Sequence, residues 1–183
     1  MTGPTERPVG GAEGPSGAGV AVIALGANLG DPDRALRQAA TALARLGWVT
    51  AASDVYRTEP VGGPPGQPAY RNAVLVMRPA PAWGSPERFL LALLALEAAA
   101  GRVRRERWGP RLLDLDLVSF GNVERRTPDL ALPHPEAIRR AFVMIPLAQA
   151  WPQWRGPDGR SARAIAEGLG GAGVERTGVP LWP

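Results

Sequence analysis

The segment that most constrains this chain is residues 107–116, where an arginine-rich loop leads into an alternation of leucine and aspartate that includes Asp114 and Asp116. Alternation with a period of two predicts a β-strand, so both aspartates should lie on one face of it. With a rise of roughly 3.3 Å per residue, their Cα atoms would lie about 6.5 Å apart. Carboxylates at that spacing could converge on metal ions about 4 Å from one another, which predicts a site for a metal-bound polyphosphate.

An exposed strand face that merely carries charge is the alternative interpretation, and for an isolated Asp-x-Asp pair it is the better one. Here the pair has basic neighbours that favour the metal site. Guanidinium groups form forked hydrogen bonds with phosphate oxygens, and the preceding loop contains Arg102, Arg104, Arg105, Arg107 and Arg111.

Composition excludes several classes of site. The 183 residues contain no cysteine, which excludes disulfides and thiolate metal sites. All 21 basic residues are arginine, so a phosphate loop built on lysine is excluded. The formal charge of +4 predicts an anionic partner, either nucleic acid or nucleotide. The sequence has neither an apolar run of roughly 20 residues nor the pattern of a signal peptide, and a cytoplasmic protein is expected.

Apolar runs and turn residues predict the order strand, helix, strand, strand, helix, strand. We expect strands at 20–25, 49–56, 71–77 and 113–120, and helices that begin after Asp31 and Ser85 and end at Gly47 and Gly101. This is the order of the ferredoxin-like βαββαβ unit, an α+β fold in which helices cover one face of an antiparallel sheet. Gly121-Asn122 should turn the fourth strand back into a short segment at 123–126, and short helices are expected at 135–140 and 161–168. The domain should span 20–169, with a disordered extension at 1–19 and a loose tail at 170–183.

Three separated segments resemble the 6-hydroxymethyl-7,8-dihydropterin pyrophosphokinase family of the folate pathway. They are Gly101-Arg102-Val103-Arg104 with Arg107-Trp108-Gly109-Pro110-Arg111 and Asp114-Leu115-Asp116; Ala24-Leu25-Gly26-Ala27-Asn28-Leu29-Gly30; and Leu132-Pro133-His134-Pro135 with Arg140-Ala141-Phe142. The resemblance implies transfer of the terminal diphosphate of ATP to the hydroxymethyl group of the pterin, with two Mg²⁺ ions as cofactors. It also implies small-molecule partners only, with no nucleic acid and no membrane, and a monomer is expected.

The resemblance assigns roles residue by residue. Asp114 and Asp116 would be metal ligands and catalytic residues, together with Arg102 and Arg111. The pterin would be bound by Thr58, Pro60, Val61, Tyr70, Asn72 and Phe142, with its ring stacked between Tyr70 and Phe142. ATP would be bound by Arg104, Arg107, Trp108, Arg111, Leu117, His134 and Arg140.

The sequence departs from the family pattern at a few places. The arginine loop is one residue short, Leu94 replaces a common glutamine, and Asp129 and Ala131 replace residues that help to bind adenosine.

Two alternative functions fit parts of the sequence less well. A ferredoxin-like RNA-binding module would suit the basic charge, but it stacks bases on aromatic residues of central strands, and 71–77 has none. A nucleotidyltransferase would have its glycine turn shortly before the acids, whereas Gly26 lies far upstream of Asp114.

Overall fold

The computed structural model describes residues 19–60, 62, 64–101 and 109–183. Its strands are β1 (Ala21–Ala27), β2 (Gly47–Ala52), β3 (Asp54–Thr58), β4 (Tyr70–Pro79), β5 (Asp114–Phe120), β6 (Arg125–Arg126), β7 (Ala131–Leu132) and β8 (Val174–Pro180). The α-helices are α1 (Pro32–Leu43), α2 (Pro86–Ala99), α3 (Ala141–Ala150) and α4 (Ala162–Leu169). Short 3₁₀ turns lie at Pro81–Trp83 and Ala137–Arg139.

The main sheet confirms the predicted ferredoxin-like topology. Its strands run in the order β5-β1-β4-β3-β8, β2 also pairs with β4, and every pairing is antiparallel. The predicted second strand is divided into β2 and β3 at Ser53. This side chain takes part in the ladder itself, since its Oγ accepts from Val74 N at 2.9 Å and donates to Asp54 O at 2.7 Å. The substitution of a side chain for a backbone partner explains the break.

Helices cover both faces of the sheet, so the prediction of helices on one face is wrong. Ile23 and Leu75 pack in the core cluster that contains residues of α1 and α2, whereas Val22 and Val74 pack in the cluster that contains residues of α3 and α4. The reason is visible in the strands themselves. Strands β1 and β4 are apolar on both sides, the pattern of strands that are buried on both faces.

Both predicted helix starts are confirmed. The side chain of Asp31 accepts from Arg34 N at 3.0 Å, and that of Ser85 accepts from Arg88 N at 3.2 Å. Helix α1 ends before Gly47, which instead begins β2. A Cβ at this glycine would lie 2.1 Å from the carbonyl oxygen of Arg78 on the paired strand, so close strand approach explains the residue.

The C-terminal tail is not loose, because β8 pairs with β3 at the edge of the sheet. The Thr177 hydroxyl donates to Val55 O at 2.7 Å, and Leu181 is buried. The sequence of this segment does not suggest a strand, because it has few apolar residues and contains Gly178 and Pro180. An edge strand tolerates both glycine and proline. The boundaries of the domain stay a prediction.

Two other expected elements differ. Residues 125–126 form β6, which pairs with β7 in a separate small sheet rather than returning onto β5. The expected helix at 135–140 is a single 3₁₀ turn that is followed by α3, which the sequence did not indicate because Pro146 lies inside it. Helix α4 confirms the prediction at 161–168.

Candidate active site

Residues of three neighbouring strands, β1, β4 and β5, meet at one end of the main sheet. Strand β1 runs antiparallel to both β4 and β5, so its last residues pair with the first residues of each. Gly26 is the register partner of Asn72 on one side and of Asp114 on the other. A Cβ at Gly26 would lie 3.1 Å from Asn72 Oδ1 and 3.9 Å from Asp114 Cβ. The missing side chain therefore leaves an open floor between the amide and the carboxylate.

A cleft of about 550 Å³ lies over this floor. It brings together nine of the residues predicted from the sequence: Thr58, Tyr70, Asn72, Arg111, Asp114, Asp116, His134, Arg140 and Phe142. Four further lining residues were missed: Gly26, Glu59, Gly62 and Glu136. The start of α3, beyond the predicted elements, supplies one wall. The sequence could have indicated Glu136, because it lies two residues after the only histidine.

Asp114 and Asp116 lie on one face of β5, as predicted, with Leu115 between them in the core. Arg111 Nη1 forms an ion pair with Asp114 Oδ2, and Arg140 Nη1 lies 3.8 Å from Asp116 Oδ2. Burial, with the charge of Asp114 as a second cause, raises the pKa of Asp116 against the opposing effects of the nearby basic groups. Two carboxylates that repel one another in a partly dry cleft would be stabilised by a cation.

The carboxylate pair fits Mg²⁺ in particular. Within the residues that the structure describes, no group of three or more histidine, cysteine or acidic side chains could hold a metal ion. Mg²⁺ commonly binds through one or two carboxylates and completes its shell with waters and substrate phosphates. Asp114 and Asp116 could supply those two protein ligands.

Thr58 and Asn72 form a buried polar pair at the other side of the floor. Asn72 Nδ2 donates to Thr58 Oγ1 at 2.6 Å, and the two residues are only 8% and 3% exposed. Strand pairing places them next to one another, since Thr58 pairs with Tyr70 and Asn72 with Tyr56. An asparagine side chain has one further amide proton and an acceptor oxygen, which suits the edge of a heterocycle.

Tyr70 and Phe142 line the same cleft, as the predicted stacking pair requires. The Tyr70 hydroxyl lies 3.1 Å from Gln67 Oε1 and 3.1 Å from the carbonyl oxygen of Gly109, and burial raises its pKa. Arg140 Cζ lies 5.8 Å from the centre of the Phe142 ring, within the range of a cation–π contact. A ligand stacked on Phe142 would therefore lie beside a guanidinium group. The stacking itself stays a prediction.

His134 is held in a defined orientation. Its Nδ1 accepts from Glu136 N at 3.2 Å, and its backbone N donates to Val118 O at 2.8 Å. Because Nδ1 is used as an acceptor, the proton of the neutral imidazole resides on Nε2. This tautomer suits a donor to phosphate oxygen better than a general base at Nδ1.

The remaining predicted residues lie elsewhere. The Leu117 side chain packs in the core and is 4% exposed, so a contact with ATP is left to its backbone. Pro60 is half-buried and does not line the cleft. Glu97 is buried and accepts from Leu115 N at 2.7 Å, which anchors the start of β5. Five predicted site residues lie outside the described residues: Val61, Arg102, Arg104, Arg107 and Trp108.

This fold and cleft define a class of protein, namely a ferredoxin-like α+β domain with paired carboxylates and arginines in its cleft. Comparisons with known proteins identify the family. The family model described as 7,8-dihydro-6-hydroxymethylpterin-pyrophosphokinase matches residues 22–152. The chain belongs to this family and is an enzyme of it, a pyrophosphokinase of folate biosynthesis that acts on the hydroxymethyl pterin.

Curated relatives and solved structures agree with the family match. A 2-amino-4-hydroxy-6-hydroxymethyldihydropteridine pyrophosphokinase of Pseudomonas aeruginosa is 40% identical over 156 residues, which cover 84% of this chain and 94% of that protein. One of Synechocystis is 38% identical over 149 residues, covering 80% and 73% respectively. The HPPK-DHPS structure of Plasmodium falciparum, a triple mutant with pteroate, has a TM-score of 0.63 at 12% identity. This structure supports the fold. The match covers 86% of our chain and 46% of the Plasmodium chain.

No helix in the described part of the chain combines the length and the apolar character needed to cross a membrane.

Proposed function

We propose that this cleft transfers the terminal diphosphate of Mg²⁺-bound ATP to the hydroxymethyl oxygen of 6-hydroxymethyl-7,8-dihydropterin, giving AMP and the pterin diphosphate. One observation carries the proposal: the strand register that sets Asn72 and Asp114 on either side of Gly26. Asn72, which suits the edge of a pterin, and Asp114, which suits a metal-bound phosphate, therefore lie on either side of a residue that has no side chain. A pterin oxygen and a phosphate bound at these two positions would approach one another.

Asp114 and Asp116 would hold the two Mg²⁺ ions. When bound, Mg²⁺ would neutralise the negative charge that develops on the phosphates during transfer. The carboxylates supply this site through their shared face on β5, and Glu97 supports it by fixing Leu115 N between them. The alternation of leucine and aspartate thus serves the core and the cleft at once.

Arg111 and Arg140 would bind phosphate oxygens by an exchange of partners. Each guanidinium group faces an aspartate in the structure. When those carboxylates turn to a cation, the arginines become available to phosphate, where forked hydrogen bonds stabilise transferring charge. His134 would add a hydrogen bond from Nε2. Arg102, Arg104, Arg107 and Trp108 keep the roles that the resemblance implies.

Pterin binding would rest on the opposite side. Asn72 would pair with the polar edge of the ring, and Thr58 would hold the Asn72 amide in place through their 2.6 Å hydrogen bond. Tyr70 and Phe142 would contact the faces of the ring. Catalysis then consists mainly of positioning and electrostatic stabilisation.

The RNA-binding alternative is disfavoured by the packing of the sheet. An RNA-recognition module of this topology stacks bases on an open sheet face, whereas here Val22, Val74 and Val76 of that face are buried in the cluster that includes residues of α3. The cleft also presents two carboxylates, which repel phosphate unless a cation intervenes. A cytoplasmic location and a monomer stay predictions.

The direct experiment is to incubate the purified chain with ATP, Mg²⁺ and the reduced pterin and to separate the nucleotides formed. AMP in equal amount to pterin diphosphate is expected, with no product when Mg²⁺ is chelated. Formation of ADP and a pterin monophosphate would refute diphosphate transfer. Binding of a short RNA at the affinity of the pterin would support the alternative module.

A further inference from the structure

The side chain of Asn28 links two segments that lie far apart in the sequence. It follows directly after β1 and is only 3% exposed. Its Oδ1 accepts from Arg111 N at 2.7 Å, and its Nδ2 donates to Pro68 O at 3.1 Å. The two partners fix the orientation of the amide, because a backbone N–H must face oxygen and a carbonyl must face nitrogen.

Each linked segment leads into one side of the cleft. Pro68 lies two residues before Tyr70, at the entry to β4, and the Tyr70 hydroxyl reaches 3.1 Å from Gly109 O in the other segment. Arg111 carries the guanidinium group that pairs with Asp114. The backbone of Asn28 adds a second contact, since its N–H donates to Arg111 O at 2.9 Å.

We propose that Asn28 is a positioning residue that sets the separation between the pterin side and the phosphate side of the cleft by holding Pro68 and Arg111 with a single amide. It touches no substrate in this scheme. It acts through Arg111 on phosphate and through the 68–70 segment on the pterin. The inference rests on the proposed roles of Arg111 and Tyr70.

The arrangement has a physical consequence for the reaction. Transfer requires the attacking oxygen and the phosphorus at a defined distance, and an error of about 1 Å in position can lower the rate about a hundredfold. A short, rigid amide that joins both sides holds this distance more tightly than separate anchors would. The backbone bond to Arg111 O survives any side-chain replacement, so a variant should displace the segment rather than detach it.

The test is steady-state kinetics of Asn28→Ala and Asn28→Asp, with thermal unfolding as a check on folding. Asn28→Ala removes both side-chain bonds and should lower kcat by about tenfold to a hundredfold. Asn28→Asp keeps an acceptor for Arg111 N but turns an oxygen toward Pro68 O. It should retain most of kcat and raise KM for the pterin more than KM for ATP. This split between the variants is not expected from a residue that only stabilises the fold.

A double-mutant cycle with Arg111→Ala tests the route of the effect. If Asn28 acts through Arg111, the loss of kcat caused by Asn28→Ala should largely disappear when Arg111 is already alanine. The matched control is Ser119→Ala. Ser119 is 4% exposed and accepts from Trp154 Nε1 at 3.0 Å within the other core cluster, so its loss should lower the unfolding temperature and leave kcat unchanged.

Three results would overturn the inference: a folded Asn28→Ala variant with unchanged kcat and KM, effects of Asn28→Ala and Arg111→Ala that simply add, or an equal loss of kcat in Ser119→Ala. If Asn28→Ala does not fold, Asn28→Asp decides alone, and an unchanged pterin KM would then refute the link to Pro68. Absence of AMP formation by the unmodified chain would instead refute the proposed function, before any variant is compared.

Discussion

Replacement of Asn72 by alanine should weaken pterin binding without weakening ATP binding. The change removes the amide beside Gly26 and deprives the Thr58 hydroxyl of its 2.6 Å partner. Because both side chains are buried, the change should lower both the stability of the fold and the affinity for the pterin. The unliganded protein should lose about 1–3 kcal/mol of stability, because a buried hydroxyl is left without its partner. The pterin should lose a similar amount of binding energy, which corresponds to about 5-fold to 150-fold in Kd.

Isothermal titration measures both affinities, with the pterin and with a non-hydrolysable ATP analogue in the presence of Mg²⁺. ATP affinity should change little, because Asp114 and Arg111 lie on the far side of Gly26. Thr58→Val separates the two effects, since it removes the hydroxyl and keeps its shape. In the double variant the loss of stability should shrink, because neither partner is left alone, whereas the loss of pterin affinity should persist.

An equal loss of affinity for both ligands would show that Asn72 supports the fold of the cleft as a whole, and the assignment to the pterin would be wrong. Unchanged pterin affinity in a folded Asn72→Ala variant would refute it as well. A loss of stability in the double variant equal to the sum of the single losses would show that Thr58 and Asn72 do not act as a pair.

Three further predictions concern the two carboxylates and Gly26. Asp114→Ala and Asp116→Ala should each lower turnover by at least about 10²–10³ at limiting Mg²⁺ while the circular dichroism spectrum is retained, and near-normal turnover in either would refute the two-metal site. Burial and the charge of Asp114 raise the pKa of Asp116, so the folded state binds this proton more tightly than the unfolded chain does. The stability of the metal-free protein should therefore fall as the pH rises from the ordinary pKa of an aspartate through the raised pKa of Asp116. Asp116→Asn should therefore unfold at a higher temperature than the metal-free parent at neutral pH, the difference vanishing below this window. Gly26→Ala should lower pterin affinity several-fold in calorimetry, because its Cβ would lie 3.1 Å from Asn72 Oδ1.

The parts of the fold that local patterns determine were predictable. The aspartates of β5 alternate with core leucines, and the caps at Asp31 and Ser85 precede helices with proline at their start. Alternation and capping are properties of a few consecutive residues, so a single sequence reveals them. The paired carboxylates could be found for the same reason.

The parts that depend on distant contacts were not predictable. Strand β8 has little apolar character, and its place is set by pairing with β3 more than a hundred residues earlier. Asn28 and Arg111 are 83 residues apart, and nothing near either residue indicates the other. The predicted first strand ends at residue 25, whereas the strand register places Gly26 within β1, between Asn72 and Asp114.

The ion pairs of the cleft connect metal binding to ATP binding. In the structure Arg111 and Arg140 face Asp114 and Asp116, so a cation that binds alone must draw the carboxylates away from guanidinium groups that gain no new partner. When a triphosphate arrives with the cation, phosphate oxygens replace the carboxylates as acceptors for the same arginines. Mg²⁺ should thus bind weakly by itself, and by reciprocity ATP should bind more weakly without Mg²⁺ by the same factor. Calorimetry of each ligand alone and in the presence of the other measures the two factors. Tight binding of Mg²⁺ in the absence of nucleotide would show that the arginines do not compete for the aspartates.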